Sequence, residues 1–254
     1  DPVIQAMSGL MQLTGTAQSG PLRTGFPLVD FVTPLLATIG ILSALHARRE
    51  TGRGQRVDLS MLDAAIFSMI PRDGHYFGTD QVPPRLGNEH YEIVPLNVYE
   101  TGDGCHVLVI AHSEKFWLAL VAGVGEPELA EDRRFKTNAD RLRHREELNR
   151  RLEARFREAS LDEWTRRLGE ADALFAPVRT IPEVLNDADV RQRMVVGLQH
   201  SSAGPIHVLG NPITLSETRA EVRTPPPRLG QHTRHLLSEL GYSDAEIARL
   251  RAER

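Results

Sequence analysis

The apolar run from Phe31 to Leu45 constrains this chain more than any other stretch. Leu35, Leu36, Ile39, Ile41, Leu42 and Leu45 surround a helix almost completely, so the helix has no polar face to turn to water and reads as a core element. Thr33, Pro34, Thr38, Gly40 and Ser43 interrupt the run, which argues against a bilayer span. Thr33 is placed to cap the helix, and Pro34 suits its first position, where a missing amide proton costs nothing. Its end falls near His46-Ala47-Arg48-Arg49, whose positive charges complement the negative end of the helix dipole.

Asp30 stands directly ahead of the run, in Gly25-Phe26-Pro27-Leu28-Val29-Asp30. An Asp there can cap the helix or answer its dipole, which is a structural role. The same field favours an ionised carboxylate, and a carboxylate can attack an activated acyl group while helix-start amides receive the oxyanion. The residues by themselves leave both roles open.

Around this centre the chain divides by pattern. Val3, Ile4, Met7, Leu10 and Met11 recur at helical spacing up to Thr14-Gly15, and a Gly/Ser/Thr-rich connector fills Thr16 to Gly25. Gly52 and Gly54 make a turn after the apolar run. Val57, Leu59 and Met61 then alternate with Arg56, Asp58 and Ser60 as in a strand, and Leu62 to Ile70 resumes a helix. Pro71 to Pro95 lacks periodicity and reads as a linker with a functional loop. Thr101-Gly102-Asp103-Gly104 between two apolar runs marks a hairpin. A helix at Phe116 to Val121 and a charged helical stretch from Glu126 to Leu168 follow. Within that stretch Glu146, Glu147 and Glu153 precede Arg150, Arg151 and Arg157 by four residues, the spacing of ion pairs along one helix.

Phe175-Ala176-Pro177-Val178 reads as the exit from this smaller unit. A short helix at Ile181 to Leu185 and strands at Met194 to Leu198 and Ile206 to Leu209 come next. Two helices then lie between Leu229 and Leu250, split at Gly241-Tyr242-Ser243, with Ser243 and Glu246 as a capping box. The expected divisions are 1–75, holding Asp30; 76–95, a linker and loop; 96–180, a small α+β domain; and 181–254, a return to the first.

Among 254 residues, 41% are hydrophobic and 25% charged, with a formal net charge of -4. Basic and acidic residues are interspersed, so neither a nucleic-acid nor an anionic-membrane partner is expected. The single cysteine, Cys105, excludes an intrachain disulfide, reads as a small buried hydrophobe and fits a reducing cytoplasm. Asp1-Pro2-Val3-Ile4-Gln5 lacks the basic start of a secretion signal. His106 and His112, or His232 and His235, lack a converging third ligand, so no metal is expected. Gly52-Arg53-Gly54-Gln55 lacks the Lys-Ser/Thr of a phosphate loop, and no Gly-x-Ser-x-Gly elbow occurs. Arg85-Leu86-Gly87-Asn88-Glu89-His90 combines a cation, a flexible glycine and two hydrogen-bonding side chains in one loop.

Asp1 to Met11, then Asp30, then Gly40-Ile41-Leu42-Ser43-Ala44-Leu45-His46 and Thr51 to Ala64 together resemble the family III CoA-transferases, the CaiB/BaiF family. Arg85-Leu86-Gly87-Asn88, Ala176-Pro177-Val178, Pro226-Pro227-Arg228-Leu229-Gly230-Gln231-His232-Thr233 and Leu240-Gly241-Tyr242-Ser243 resemble its later landmarks, so the likeness runs the length of the chain. The resemblance implies an α/β fold, the latter part of a Rossmann-like large domain plus a smaller α+β domain, in an interlaced homodimer. Nothing here resembles the Rossmann-like segment with which the family begins. The implied activity is acyl-CoA:carboxylic acid CoA transfer, with Asp30 acylated as a mixed anhydride. A coenzyme A thioester and a small carboxylic acid are the substrates, and no cofactor is bound permanently. Arg85, Gly87, Asn88 and His90 correspond to a loop over the acyl intermediate, and Asp1 to a carboxylate near the bound acid. Two further readings are an α-methylacyl-CoA racemase of the same family and a non-catalytic half or subunit of a split enzyme.

Overall fold

Glycine and proline positions set the first breaks in the chain. The computed structural model describes residues 1–252 and comprises two compact units, Asp1–Val178 and Arg179–Arg254. In the first unit, Gly9 adopts φ 94° between α1 (Pro2–Ser8) and α2 (Leu10–Leu13), a left-handed conformation that only glycine enters without strain. The connector that follows forms a minimal antiparallel hairpin, β1 (Gly15–Thr16) with β2 (Gly20–Pro21).

The apolar run becomes α3 (Leu28–Thr51), 24 residues long, which starts before the expected Thr33 cap and leaves Pro34 inside the helix. Thr33 instead donates its hydroxyl to the Val29 carbonyl at 2.7 Å. Thr38, Ser43 and Thr51 do the same to Pro34, Ile39 and Ala47, at 2.8, 2.8 and 2.9 Å. The polar interruptions are therefore spent on the helix's own carbonyls. With a best-window mean hydropathy of 2.0, α3 is long and apolar enough to cross a bilayer by length and composition, contrary to the reading of the sequence. Neither is it a core helix within this chain. Val29 is its one buried residue, while Phe31, Leu35, Ile39 and Leu42 form a stripe at successive turns that is 51–63% exposed.

Gly52 ends α3 in the left-handed region, at φ 70°, and returns its amide to the Arg48 carbonyl at 2.9 Å. Residues 56–61, expected as a strand, find no strand partner. Val57 lies against α3, since a Cβ on Gly40 would come within 2.9 Å of its Cγ1. Ser60 caps α4 (Met61–Phe67) through the Asp63 amide. Leu10, Val29 and Ala65 form a small core here, flanked by Ile4, Leu28, Met61 and Met69. The expected loop after Pro71 contains a further helix, α5 (Arg72–Thr79).

The larger core belongs to the second half of this unit. Strands β3 (Leu96–Glu100) and β4 (His106–Ile110) make the hairpin that Thr101-Gly102-Asp103-Gly104 announces. Cys105 is exposed, not buried as expected, because it lies in the turn beyond the last paired residues, Glu100 and His106. Helix α6 (Glu114–Gly123) is followed by a 3-10 turn at Pro127–Ala130, then by α7 (Asn138–Arg143), α8 (Arg145–Phe156) and α9 (Leu161–Glu170). Phe175-Ala176-Pro177 forms a third strand, β5 (Phe175–Pro177), pairing antiparallel with β4 directly ahead of the end of the first unit at Val178. Val107, Val109, Trp117, Leu120, Leu148, Leu152, Phe156, Trp164 and Leu168 fill the space between sheet and helices. Leu148, Leu152 and Phe156 recur every fourth residue, which places them on one stripe of α8.

The charges of α8 do not pair along the helix as expected. Arg151 reaches Glu126 and Glu128 at 2.8 and 2.6 Å, Glu147 meets Arg134, and Arg157 meets Glu100 at 3.2 Å. These pairs join separate elements, so the long side chains brace the core rather than the helix.

The second unit opens with α10 (Ile181–Asn186), capped by a reciprocal Thr180–Glu183 box, and α11 (Ala188–Met194). The hairpin of β6 (Val195–His200) and β7 (Gly204–Leu209) and the helices α12 (Thr233–Glu239) and α13 (Asp244–Ala252) complete it, with Ser243 and Glu246 bonded as the sequence indicates.

Arg141 is the main polar group in the larger core. Its guanidinium is buried over the Trp117 ring, with hydrogen bonds to the carbonyls of Val94 and Phe135 at 2.7 and 3.0 Å. Arg141→Leu leaves those carbonyls unsatisfied and is expected to lower unfolding free energy by about 3 kcal/mol in urea titrations.

Candidate active site

The start of α3 poses a capping problem. Helix-start amides need acceptors, and the residue ahead of α3, Pro27, has no side-chain acceptor to give. Asp1 supplies it from a distant part of the sequence. Its Oδ2 accepts from the amides of Val29 at 2.7 Å and Asp30 at 3.4 Å. The neighbouring amides close locally, Leu28 onto the Phe26 carbonyl at 2.8 Å and Phe31 onto the Pro27 carbonyl at 3.2 Å. The first turn of α3 thus has no amide left over for an oxyanion, which corrects the role that the sequence suggests for it.

Asp30 is thereby relieved of capping. Its side chain is 57% exposed, no hydrogen bond among the described residues reaches its carboxylate, and the backbone nitrogen of Asp1 lies 3.8 Å from Oδ1. The field of a 24-residue helix still acts on it from the first turn. An exposed carboxylate in a positive field that makes no hydrogen bond keeps its lone pairs available.

The Asp1 carboxylate is itself held. Its side chain is 3% exposed, and Oδ1 accepts from Gln5 Nε2 at 2.5 Å. Gln5 is fully buried, and its Oε1 accepts from the Thr24 amide at 3.0 Å. Sequence reasoning missed Gln5 and Thr24 because it sought the buried face of α1 among the apolar residues. The face is inverted, with Gln5 and Ser8 buried and Val3 and Met7 exposed. The usable signal was a glutamine inside an otherwise apolar helical pattern.

Arg85, Gly87, Asn88 and His90 form a second group. Arg85 was read as an anion partner, yet its guanidinium binds neutral acceptors, Gln12 Oε1 at 2.6 Å and the Thr16 carbonyl at 3.4 Å. The Gly87 amide donates to the Gly15 carbonyl at 2.8 Å. Gly87 has φ 61°, and a Cβ there would come within 2.9 Å of Thr16 Cγ2. The glycine therefore serves close docking of the loop onto β1. Asn88 is exposed. His90 Nδ1 accepts from the amides of Glu92 and Ile93 at 3.1 and 3.2 Å, so its neutral ring carries the proton on Nε2. Burial, then the charges of Arg72 and Arg145, hold its pKa below the ordinary histidine range against the opposing pull of Glu92. No hydrogen bond or ion pair among the described residues joins this group to Asp1 or Asp30.

The chain and its fold have counterparts in known proteins. The family model for CoA-transferase family III matches residues 1–233. The chain belongs to that family. The succinyl-CoA:glutarate CoA-transferase of Mus musculus is 32% identical over 98% of this chain and 58% of its own length. The succinyl-CoA–D-citramalate CoA-transferase of Chloroflexus aurantiacus is 31% identical over 98% of this chain and 63% of its own. A crystal structure of a CaiB/BaiF family protein from Brucella suis superposes with a TM-score of 0.81 at 29% identity, over 94% of this chain and 62% of that one. The expected family fold is therefore present. This family III chain spans less than two thirds of the length of these relatives.

Removing the borrowed cap tests the arrangement directly. Asp1→Ala is expected to cost about 1 kcal/mol at the helix start. Hydrogen exchange of the Val29 and Asp30 amides should rise about fivefold, with exchange in α9 unchanged.

Proposed function

We propose that this chain carries the nucleophile of an acyl-CoA:carboxylic acid CoA-transferase, and that the nucleophile is Asp30. One observation carries the reading: Asp1 caps α3, leaving the Asp30 carboxylate exposed and free of hydrogen bonds. In the reaction, an Asp30 oxygen attacks the thioester carbonyl, the carbon–sulfur bond breaks, and CoA leaves as thiolate. Asp30 is left as a mixed anhydride. CoA thiolate then attacks the Asp30 carbonyl of the anhydride, releasing the donor acid as its carboxylate and leaving Asp30 as a CoA thioester. The acceptor carboxylate attacks that thioester and expels CoA, and attack of CoA on the acceptor carbonyl of the second anhydride gives the new thioester and restores the Asp30 carboxylate. One thioester is exchanged for another, so no ATP and no permanently bound cofactor is required.

The names of the relatives support transfer rather than racemisation, and point to succinyl-CoA as donor and a small dicarboxylate as acceptor. His90, a neutral Nε2–H donor, and Asn88 are the residues of the 85–90 loop with capacity to meet a substrate. Arg85 and Gly87 hold that loop in place. Donors for the oxyanion come from outside the α3 start, whose amides are taken. The exposed apolar stripe of α3 fits a protein interface, and we read it as buried in a homodimer interlaced with a second copy rather than in lipid. The closeness of Val57 to Gly40 supports that, since the helix already meets protein at that position. A cytoplasmic setting suits the lone, exposed Cys105.

Incubating the purified protein with succinyl-CoA and quenching with hydroxylamine should convert Asp30 to a hydroxamate, readable by peptide mass spectrometry. Asp30→Asn should lose that adduct and lower exchange activity by roughly a thousandfold or more. Full activity in the Asn variant would rule out the nucleophile.

A further inference from the structure

We propose that Gln5 is a positioning residue for acyl transfer, acting through Asp1 on the Asp30 nucleophile; the proposal rests on the reading of Asp30 given above. Gln5 touches neither Asp30 nor any exposed surface. It lies fully buried between two things that must be fixed if Asp30 is to stay free: the capping carboxylate and the segment leading into α3.

The side-chain amide is used in both senses. Nε2 donates to Asp1 Oδ1 at 2.5 Å, and Oε1 accepts from the Thr24 amide at 3.0 Å. The Thr24 hydroxyl, 3.3 Å from Oε1, donates to the Phe26 carbonyl at 2.7 Å. One residue of α1 therefore ties down the chain from Thr24 towards α3 and aims Asp1 Oδ2 at the Val29 and Asp30 amides. Only a group with a donor at one end and an acceptor at the other satisfies both neighbours. A carboxylate at this position would face Asp1 with like charge, and an alkyl group would leave a buried oxygen and a buried amide unpaired.

The consequence for Asp30 is chemical as well as positional. Asp30 is the third residue of α3, close to the same helix-start amides that Asp1 occupies. If Asp1 swings away, those amides become available to the Asp30 carboxylate, and its lone pairs go into capping rather than attack. Loss of Gln5 should thus slow acylation while leaving recognition of the CoA thioester intact.

The test compares Gln5→Glu and Gln5→Leu with the unmodified protein in single-turnover acylation by succinyl-CoA. Hydroxylamine trapping and peptide mass spectrometry locate the acyl group. At pH 7.5, Gln5→Glu should acylate about a hundredfold more slowly, the cost of a misplaced reacting group, with KM for succinyl-CoA within about threefold. Facing carboxylates hold one proton more tightly than either would alone, so that proton returns the missing hydrogen bond as pH falls. The deficit of Gln5→Glu should shrink about tenfold by pH 5, while Gln5→Leu, with nothing to titrate, keeps a constant deficit. A Gln5→Glu variant with the rate of the unmodified protein, or with a pH-invariant deficit like that of Gln5→Leu, would overturn the positioning role even with the acyl group on Asp30. An acyl group found on another residue of the unmodified protein would instead overturn the nucleophile, and the positioning role with it.

Discussion

The two hydrogen bonds from the Val29 and Asp30 amides to Asp1 connect the fold of this chain to its chemistry. A helix of 24 residues concentrates positive potential at its start, and that potential draws in the first carboxylate in reach. Were it Asp30 that answered, the residue would be structural. Because a carboxylate from the front of α1 answers first, Asp30 keeps the favourable field without the bond. The small core of Leu10, Val29 and Ala65 matters here because it holds α1, α3 and α4 together, and so keeps Asp1 within reach.

Much of the architecture was legible in the sequence. The hairpin at Thr101 to Gly104, the Ser243 and Glu246 box and the β6–β7 pair are local, each encoded by a turn, a cap or an alternation within a few residues. Errors arose where partners are distant. Thr33 looked like a cap because the real one, Asp1, lies 28 residues upstream of the Val29 amide that it accepts from. The segment containing Val57 and Leu59 alternates like a strand, yet pairing requires a neighbour that pattern cannot supply. Glu147, Arg151 and Arg157 were spaced for their own helix and chose partners across the core.

The candidate site was legible in the same uneven way. Asp30 and Asp1 were identified as carboxylates of interest, and the structure brings them together. Arg85 was identified by its charge but serves neutral carbonyl and amide oxygens, a use that charge does not advertise. Gln5 was invisible because a buried amide matters only once its two neighbours, Asp1 and Thr24, are known. The reading of α3 failed for a related reason: its threonine and serine residues counted as polar breaks, while here their hydroxyls are turned inward onto the backbone.

Pro34 has an effect beyond its failure to begin a helix. Without an amide proton it cannot bond to the carbonyl of Asp30, four residues earlier, so the hydrogen-bond ladder of α3 has a missing rung just after the proposed nucleophile. A ladder transmits bending and torsion along a helix, and a missing rung is a joint. The first turn, carrying Asp30 and clamped by Asp1, is therefore mechanically insulated from the long apolar shaft behind it. Whatever packs on that shaft can press or shift it without dragging the Asp30 carboxylate out of register.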